Sequence, residues 1–490
     1  MALATRARAN PLGRNTQPRI AIVGAGISGL NCALALADKG LNATIYEASG
    51  RVGGRMYSNN TGYWNDNQVT EWCGEEIDPE HTEILSLAAR FGLITEHRLP
   101  ASTTGQSDTY YLNGKYYSLA DAVSDLGNAY PKIQDAFDAA GNITTYNQST
   151  REGRRLDHTS VKSWIQHNIP GGVDSKLGQL LVLNSIDEYG ADCSDQSALN
   201  LIYVLGGEDG DDTASNGTTS DEYHIRGGNE QIPQAIAAYL ATQGTPVRTD
   251  MSMASIRMLP DGTYRMTFNS SVGISDVDAD LVVLTLPFAV LRTLDYRHAG
   301  FDPLKTYAIQ NQGAGRNGKL QLQFTHRLWN DAGPWGISDG QSYSSSGYMS
   351  TIDPTRAQFG DSGILDNYTG GRFTSRQQTQ VPFATVENVG VQADVKYFLN
   401  QVAPVYPGLP DLWNGKATQS LPHLSPYFKC SYSYLRVGQY HKFSGYERVR
   451  QKNIFFAGEH TSVQFGGYME GGAQEGARAA QEILTQFGLS

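Results

Sequence analysis

The pattern of apolar residues near the start of the chain predicts a strand, a helix and a second strand. Apolar runs span Ile20–Val23 and Ala43–Tyr46. Between them, apolar residues continue at helical spacing through Leu30, Leu34 and Leu36. The segment therefore predicts a β-α-β unit whose first turn is rich in glycine.

Similar patterns predict further elements along the chain. Residues 281–287 form an apolar run typical of a buried strand, and residues 251–267 predict two strands around a Pro-Asp-Gly turn. Residues 149–167 and 185–205 predict helices, and another helix is predicted from about Met469. Strands and helices are thus predicted along most of the chain.

The composition is that of a globular protein. The chain has 490 residues, of which 40% are hydrophobic and 10% aromatic, enough for two or three domains. Its net charge of −11 disfavours a nucleic-acid partner and is compatible with a cationic small molecule. The acidic Gly/Ser/Thr-rich residues 206–222 predict a solvated loop, with a lid over a cavity as the alternative.

The cysteines and the start of the chain exclude several classes of protein. The four cysteines have neither zinc-site nor disulfide-framework spacing, so no metal site is predicted. No apolar run approaches the ~18 residues of a membrane span. Residues 1–18 lack the apolar centre of a signal peptide and predict a flexible tail. We expect a soluble, cytoplasmic protein, with an exported form as the alternative.

The glycines of the β-α-β unit match the dinucleotide-binding fingerprint. Gly24, Gly26 and Gly29 follow the first strand, and Glu47 ends the second strand 18 residues after Gly29. The first two glycines allow a tight turn and a close approach of pyrophosphate, whereas Gly29 allows the helix to pack on the sheet. The candidate cofactor contacts of this unit are Gly24, Gly26, Ile27, Ser28, Gly29, Glu47 and Ala48.

The loop after Glu47 indicates which dinucleotide is bound. Its sequence, Arg51-Val52-Gly53-Gly54-Arg55, resembles the second phosphate-contacting loop of the flavin-dependent amine oxidase family, which binds FAD. Two arginines beside glycines suit a buried pyrophosphate, because a guanidinium can pair with two oxygens at once. Arg51, Gly53, Gly54 and Arg55 are therefore candidate FAD contacts.

The C-terminal stretch closely resembles the flavin-binding end of monoamine and polyamine oxidases. An apolar strand, Gly458-Glu459 and a glycine-rich link lead into the helix at Met469. The resemblance implies that the start of this helix faces the flavin, that Glu459 binds the ribityl or phosphate region, and that Tyr468 steers the substrate nitrogen. The implied cofactor contacts are Met253, beside the adenine, and Gly458, Glu459, Gly467, Tyr468 and Met469.

Cys430 aligns with the cysteine that tethers flavin in monoamine oxidases. It precedes Tyr468 by 38 residues, and the resemblance implies a possible thioether to the flavin. Ser431 departs from the family, because a second tyrosine stands at this position in monoamine oxidases. Tyr432 follows it, where alternation on a strand predicts the opposite direction, and it remains a candidate substrate contact. An inert buried thiol is the alternative for Cys430.

Two further segments carry candidate active-site residues. Strand alternation puts Lys319, Gln321 and Gln323 on one face, and the family places a water-holding lysine at the position of Lys319, near flavin N5. Residues 70–93 resemble a loop that reaches the flavin and the substrate cavity, followed by an amphipathic helix. Its acids Glu76 and Asp78 are candidate substrate contacts, with Asp78 preferred, and a solvated helix N-terminus is the alternative.

The resemblance implies an α/β fold with two interleaved parts. The first is a discontinuous, Rossmann-type FAD-binding domain, and the second is an α+β substrate-binding domain. The predicted boundaries are a tail at 1–18, an FAD-binding domain at 19–90, 222–298 and 427–488, and a substrate-binding domain at 91–221 and 299–426.

The implied function is FAD-dependent oxidation of a primary or secondary amine, either a diamine or polyamine or an aromatic monoamine. The amine gives a hydride to flavin N5, the imine hydrolyses to an aldehyde, and O2 is reduced to H2O2. Asp78 would serve a distal positive charge, because a carboxylate at the reacting nitrogen hinders its deprotonation. The alternatives are an L-amino-acid oxidase, which needs an arginine such as Arg226 for the substrate carboxylate, and an FAD-binding scaffold without turnover. Members of the family often form homodimers.

Overall fold

The computed structural model describes residues 17–98, 107–206 and 222–489. The predicted tail lies almost entirely outside these residues, and so does the acidic loop predicted at 206–222.

The secondary structure mixes strands and helices throughout the described residues. The strands are β1 (Ile20–Val23), β2 (Ala43–Tyr46), β3 (Ser58–Asn59), β4 (Thr70–Glu71), β5 (Thr95–His97), β6 (Ser107–Leu112), β7 (Lys115–Tyr117), β8 (Tyr223–Ile225), β9 (Val247–Arg248), β10 (Ser252–Met258), β11 (Tyr264–Ser270), β12 (Gly273–Ala279), β13 (Leu281–Leu284), β14 (Asp295–His298), β15 (Gly313–Ala314), β16 (Asn317–Phe324), β17 (Ser338–Ser344), β18 (Met349–Ile352), β19 (Gly363–Gly370), β20 (Phe383–Thr385), β21 (Trp413–Ser420), β22 (Ser433–Tyr434) and β23 (Ile454–Phe456). The α-helices are α1 (Ile27–Ala37), α2 (Thr82–Arg90), α3 (Leu119–Ala140), α4 (Arg151–Asp157), α5 (Val161–Asn168), α6 (Lys176–Tyr189), α7 (Ala198–Gly206), α8 (Gln231–Thr242), α9 (Phe288–Leu291), α10 (Pro303–Asn311), α11 (Gly371–Thr374), α12 (Val389–Val402), α13 (Tyr440–Phe443) and α14 (Met469–Phe487).

A five-stranded parallel sheet forms the first layer, in the order β23-β13-β1-β2-β9. Ile20 pairs with Leu281 on one side and with Ala43 on the other. Alternate residues of these strands pack against α1, α8 and α14 on one face and against β10–β12 on the other. Both faces are therefore buried, which explains the fully apolar runs and confirms the α/β prediction.

The strands of this sheet come from distant parts of the chain, since β1 and β2 lie near its start, β9 and β13 near its middle, and β23 near its end. This arrangement agrees with a discontinuous domain, and the predicted domain boundaries remain a prediction. No helix within 17–98, 107–206 or 222–489 is long and apolar enough to cross a membrane.

The second large sheet has eight strands, in the order β20-β21-β16-β19-β18-β17-β6-β7. On β16, Leu320 and Leu322 pack into an apolar cluster with α12. The polar face of the strand is buried as well, because Gln321 and Gln323 form hydrogen bonds with residues of the segment around β4. The predicted alternation is present, and the polar face meets the segment around β4 instead of solvent.

Two predicted helices are each broken in two. Residues 149–167 form α4 and α5, because the Ser160 side chain accepts a hydrogen bond from the backbone N–H of Ser163 and starts a new helix. Residues 185–205 contain the end of α6 and most of α7, since Gly190 ends α6 in the left-handed conformation at φ 61°. These predictions were wrong about continuity, because cap residues outweighed the apolar spacing.

Replacing Gly29 by alanine is expected to destabilise the first layer. A Cβ on Gly29 would lie 2.0 Å from the backbone oxygen of Gly24, so α1 would have to move away from the sheet. Overpacking of this kind costs at least about 2 kcal/mol in free energy of unfolding. Gly50→Ala is the control, because no atom lies within 4 Å of its added Cβ. Urea unfolding of both variants checks the difference, and equal midpoints would contradict it.

Candidate active site

A cavity of about 440 Å³ opens at the carboxyl ends of the parallel strands. Its walls include Gly24 after β1, Glu47 after β2, Thr285 after β13 and Gly458 after β23. Ligands of open α/β sheets bind at this edge, because the loops there diverge and leave a crevice. The cavity continues to the second sheet, where Lys319 lines it.

Most of the predicted site residues line this one cavity. The predicted residues that line it are Gly24, Gly26, Ile27, Ser28, Glu47, Ala48, Gly53, Gly54, Arg55, Glu76, Met253, Lys319, Tyr432, Gly458, Glu459, Gly467, Tyr468 and Met469. Four predicted residues are absent from the lining, namely Gly29, Arg51, Asp78 and Cys430.

Two helix N-termini face the cavity without a capping side chain from the described residues. Gly26 precedes α1 and Tyr468 precedes α14, and neither helix has a side-chain cap. Free N–H groups and the helix dipole favour negative charge at such a position. A Cβ on Gly54 would lie 3.3 Å from the Cα of Gly26, so the two loops already approach closely. The site thus fits an anionic dinucleotide such as the predicted FAD.

Glu47 forms hydrogen bonds that hold together two loops at the predicted ribose site. Its carboxylate is 8% exposed and accepts hydrogen bonds from the backbone N–H of Ala25 at 2.8 Å and from Ser49. These bonds fix the carboxylate at the end of β2, where the fingerprint requires an acid.

A buried ion pair in the cavity wall joins the N-terminal and C-terminal parts of the chain. Arg55 Nη1 donates to Glu459 Oε1 at 2.9 Å and to the backbone oxygen of Ser431 at 2.7 Å. Glu459 also accepts from the backbone N–H of Gly467 at 2.9 Å. Burial alone would raise the pKa of Glu459, but the Arg55 guanidinium brings it below its ordinary value. The pair positions the C-terminal loop against the N-terminal one.

Arg55→Met is expected to leave Glu459 buried without its cation. Breaking a buried pair on one side costs about 3–5 kcal/mol in free energy of unfolding. Arg90→Met is the control, because the Arg90–Asp38 pair is solvent-accessible and its loss should cost at most about 1 kcal/mol. Denaturant unfolding of the two variants measures both values, and comparable losses would contradict a special role for Arg55.

Arg51 and Cys430 lie behind the cavity wall. The Arg51 guanidinium stacks 3.9 Å from the centre of the Tyr57 ring and donates to backbone oxygens of its own loop, Gly54 among them. The Cys430 thiol donates to the backbone oxygen of Phe428 at 3.4 Å, and burial raises its pKa to about 11. Arg51 therefore supports the loop. The burial of the Cys430 thiol agrees with the inert alternative, and its bond to flavin remains a prediction.

Asp78, the preferred substrate-facing acid of the sequence prediction, is buried and does not line this cavity. Its backbone N–H donates to Nδ1 of His81 at 2.9 Å, and its carboxylate lies 3.7 Å from Nε2 of the same ring. Ile77, one residue earlier, is fully buried in the core of the first layer. The segment between β4 and α2 therefore takes Asp78 out of the cavity lining, whereas Glu76 lines the cavity.

Lys319 lies between two carboxylates. Its Nζ forms a hydrogen-bonded ion pair with Oε2 of Glu75 and lies 3.6 Å from Oδ2 of Asp366. Burial alone would lower the pKa of Lys319, but the two carboxylates raise it above its ordinary value. Glu75 has a lowered pKa because Lys319 outweighs the effect of burial. Lys319 therefore stays protonated, with Glu75 ionised beside it.

Hydroxyl groups and further acids complete the second half of the cavity. Tyr468 donates to Oε1 of Glu188 at 2.7 Å. Tyr432 donates to the backbone oxygen of Asp187 at 2.9 Å, and its hydroxyl lies 3.0 Å from that of Tyr368. Burial keeps the pKa of each tyrosine well above its ordinary value, so all three remain neutral.

The sequence prediction missed several lining residues. Among them are Asp187, Glu188, Tyr189, Asp366 and Tyr368. A signal existed for two of them, because Asp187 and Glu188 stand in the last turn of α6, where the helix dipole disfavours acids. Acids at an unfavourable helix end are candidates for a functional role. Asp366 lies within β19 next to Asn367, another buried polar residue, and gives only a weak signal.

The cavity lining is rich in acidic residues, which affects the kind of ligand that can bind there. Its lining includes Glu75, Glu76, Asp187, Glu188 and Asp366, and most of them sit near Lys319 or the tyrosines. Within the described part of the lining, Arg55 is the one arginine, and it is paired with Glu459. This end of the cavity suits a cation and offers no arginine to a carboxylate.

Comparisons with known proteins agree with this geometry. Residues 27–484 match the family model described as "Flavin containing amine oxidoreductase". The chain is 23% identical to a flavin-containing amine oxidase of Danio rerio over 96% of its length and 86% of that protein. It is 22% identical to an L-amino-acid oxidase of Siganus canaliculatus, over 96% of its length and 86% of that protein. A solved putrescine oxidase bound to putrescine has a similar fold, with a TM-score of 0.78, 18% identity, and coverage of 96% of this chain and 99% of that one.

Proposed function

The chain belongs to the family of flavin-containing amine oxidoreductases, and we propose that it oxidises a primary or secondary amine to an imine that hydrolyses to an aldehyde. As a member of this family it is an oxidoreductase with FAD as cofactor. The proposed substrate is a diamine or polyamine, or else an aromatic monoamine.

The acidic half of the cavity is the observation that carries this proposal. Five carboxylates line it, whereas Arg55, the one arginine among the described residues of the whole cavity lining, is paired with Glu459. A substrate carboxylate would meet like charges there, while a cation would be attracted. This favours an amine over an amino acid, although an L-amino-acid oxidase is among the relatives.

Bound FAD supplies the hydride acceptor and passes the electrons on to O2. The uncapped starts of α1 and α14, with Glu47 and Arg55, would hold it along the first layer. Tyr468 and Tyr432 line the same cavity with neutral rings, and they would contact the substrate nitrogen beside the bound FAD. Their hydroxyls are held by the end of α6, so the rings are fixed before the amine arrives.

The amine must lose its proton before it can give up a hydride. For a group whose pKa lies three units above pH 7.4, this costs about 4 kcal/mol. Acids far from the reacting nitrogen, such as Glu76, would then serve a second positive charge of a diamine or polyamine.

Anaerobic mixing of the FAD-loaded protein with a panel of amines and amino acids tests the proposal. We expect monoamines or diamines to bleach the flavin absorbance and L-amino acids to leave it unchanged. Bleaching by amino acids alone would establish the amino-acid oxidase instead. A flavin that stays yellow with every compound would indicate an FAD-binding scaffold. Peroxide release on admission of air confirms turnover.

A further inference from the structure

We propose that Asn229 is a positioning residue for the reaction, because it holds the loop at Gly74 and Glu75 so that the Glu75 carboxylate meets Lys319. This inference rests on the proposed function. Asn229 itself is fully buried and is not part of the cavity lining, so it would act only through the loop that it holds.

The side-chain amide of Asn229 bonds to two successive backbone carbonyl groups of this loop. Its Nδ2 donates to the backbone oxygen of Gly74 at 2.9 Å and to that of Glu75 at 2.7 Å. In the part of the chain that the structure describes, no other group donates to either oxygen. Both carbonyl groups therefore depend on one side chain, which lies 154 residues further along the chain than Glu75.

Neighbouring residues fix the direction of the amide. Oδ1 of Asn229 accepts from the backbone N–H of Ile225 at 3.0 Å, and its backbone N–H donates to Oε1 of Glu71 at 2.8 Å. Glu71 is fully buried and is held in turn by the hydroxyl of Ser58 and by Nε2 of His224, 2.9 Å away. A rotated amide would bring Oδ1 against two carbonyl oxygens, which offer it no hydrogen.

Capping of a helix does not explain this asparagine. Asn229 stands two residues before α8, and an asparagine near such a position commonly accepts a hydrogen bond from the first turn of the helix. Its Oδ1 accepts instead from Ile225, which precedes the helix, and its Nδ2 turns toward the cavity loop. The side chain is therefore committed to the loop.

The loop leads directly to the charged residues of the cavity. Gly74 and Glu75 both line it, and the carboxylate of Glu75 forms the ion pair with Lys319. Gly74 has a φ of 45°, and a Cβ there would lie 2.7 Å from the backbone oxygen of Arg55, so the loop also packs closely against the arginine loop. Loss of the two hydrogen bonds would let Glu75 move relative to Lys319. A displacement of about 1 Å at a reaction site can lower a rate by about 10²-fold.

A double-mutant cycle tests this route. The kcat for peroxide release with 2-phenylethylamine is measured for the FAD-loaded wild type, Asn229→Ala, Lys319→Met and the double variant. Asn229→Ala should lower kcat by about 10- to 100-fold, and the double variant should lie within about twofold of Lys319→Met alone. An unchanged kcat in Asn229→Ala, or the same loss in both backgrounds, overturns the proposal.

A second variant keeps the size of the side chain and makes its hydrogen bonding depend on pH. In Asn229→Asp, the neutral carboxyl group can donate one hydrogen bond to the loop, whereas the carboxylate only repels the carbonyl oxygens. Its kcat relative to the wild type should therefore fall at least about tenfold from about pH 6 to about pH 9, because burial raises the pKa of a carboxyl group. The fall should be absent in the Lys319→Met background. A ratio that does not change with pH, or the same fall in both backgrounds, contradicts the proposal.

A matched control separates positioning from general stability. Gln68 is also a buried amide outside the cavity lining, and it donates to the backbone oxygen of Ser362 at 2.7 Å and accepts from Nε2 of Gln323 at 2.8 Å. Gln68→Ala should lower the melting temperature and leave kcat within about twofold of the wild type. If it lowers kcat as much as Asn229→Ala does, lost stability explains both effects and the proposal is wrong.

The remaining outcomes are also decisive. If neither Asn229→Ala nor Asn229→Asp folds and retains FAD, Asn229 supports the fold as a whole and is not a positioning residue. Absence of flavin bleaching and peroxide release from the wild-type protein with every amine would refute the proposed function. Normal wild-type turnover with unaffected variants of Asn229 would refute this inference alone.

Discussion

Lys319→Met is expected to reduce amine turnover by about 10²- to 10³-fold, the usual effect of removing one positioned polar group from a reaction cavity. The substitution leaves Glu75 and Asp366 close together without the cation between them. Both carboxyl groups would then have raised pKa values, because burial and their mutual repulsion are no longer opposed. Steady-state peroxide release from the FAD-loaded variant measures the loss.

The same substitution changes the pH dependence of stability. In the wild-type protein the lowered pKa of Glu75 gives stability above its unfolded pKa, and this stability is lost as the pH falls. In the variant its raised pKa gives stability at low pH, and this is lost as the pH rises. We therefore expect the melting temperature of Lys319→Met to fall more steeply than that of the wild type between about pH 5 and about pH 8.

A double variant distinguishes the structural role of Lys319 from its functional one. Lys319→Met combined with Glu75→Gln removes both members of the direct ion pair, and such replacements are often close to neutral for stability. We expect the double variant to regain most of the lost stability and none of the turnover. Recovery of turnover together with stability would mean that Lys319 only holds the cavity together.

The fold could be predicted from the sequence because its signals are local. The glycines at the end of β1, the acid at the end of β2 and the buried runs lie within single elements, and their physical requirements act on neighbouring residues. The prediction of one continuous helix over 149–167 was wrong because a local signal there was ambiguous. Ser160 can cap a helix or lie within one, and apolar spacing does not decide between these states.

The cofactor half of the site was largely predictable, whereas the substrate half was not. β1, β2 and β23 belong to one parallel sheet, so their carboxyl ends lie at the same edge. The loops that follow these strands therefore lie close together. The acids of the substrate half come from the loop after β4, from α6 and from β19, which no local pattern connects. Asp78 illustrates the difficulty, because it lies only two residues after Glu76 and yet outside the cavity lining.

Replacing Glu76 by glutamine is expected to weaken the binding of diamines selectively. Glu76 lines the cavity and lies near enough to Tyr368 and Tyr468 to raise their pKa values. A hydrogen bond between a carboxylate and a distal ammonium is worth about 1.5–3 kcal/mol, which corresponds to roughly a 10- to 150-fold change in affinity. The KM for 1,4-diaminobutane should rise by about this factor, and the KM for 2-phenylethylamine should stay within about twofold.

Asp78→Asn is the matched control, because Asp78 lies two residues further along the same loop and outside the cavity lining. It should leave the KM of both amines unchanged, and any effect on stability arises from the lost contact with His81. The opposite pattern, with Asp78→Asn affecting the diamine and Glu76→Gln affecting neither amine, would return the substrate contact to Asp78. Equal effects of Glu76→Gln on both amines would place Glu76 at the reacting nitrogen, where a carboxylate hinders deprotonation, and not at a distal charge.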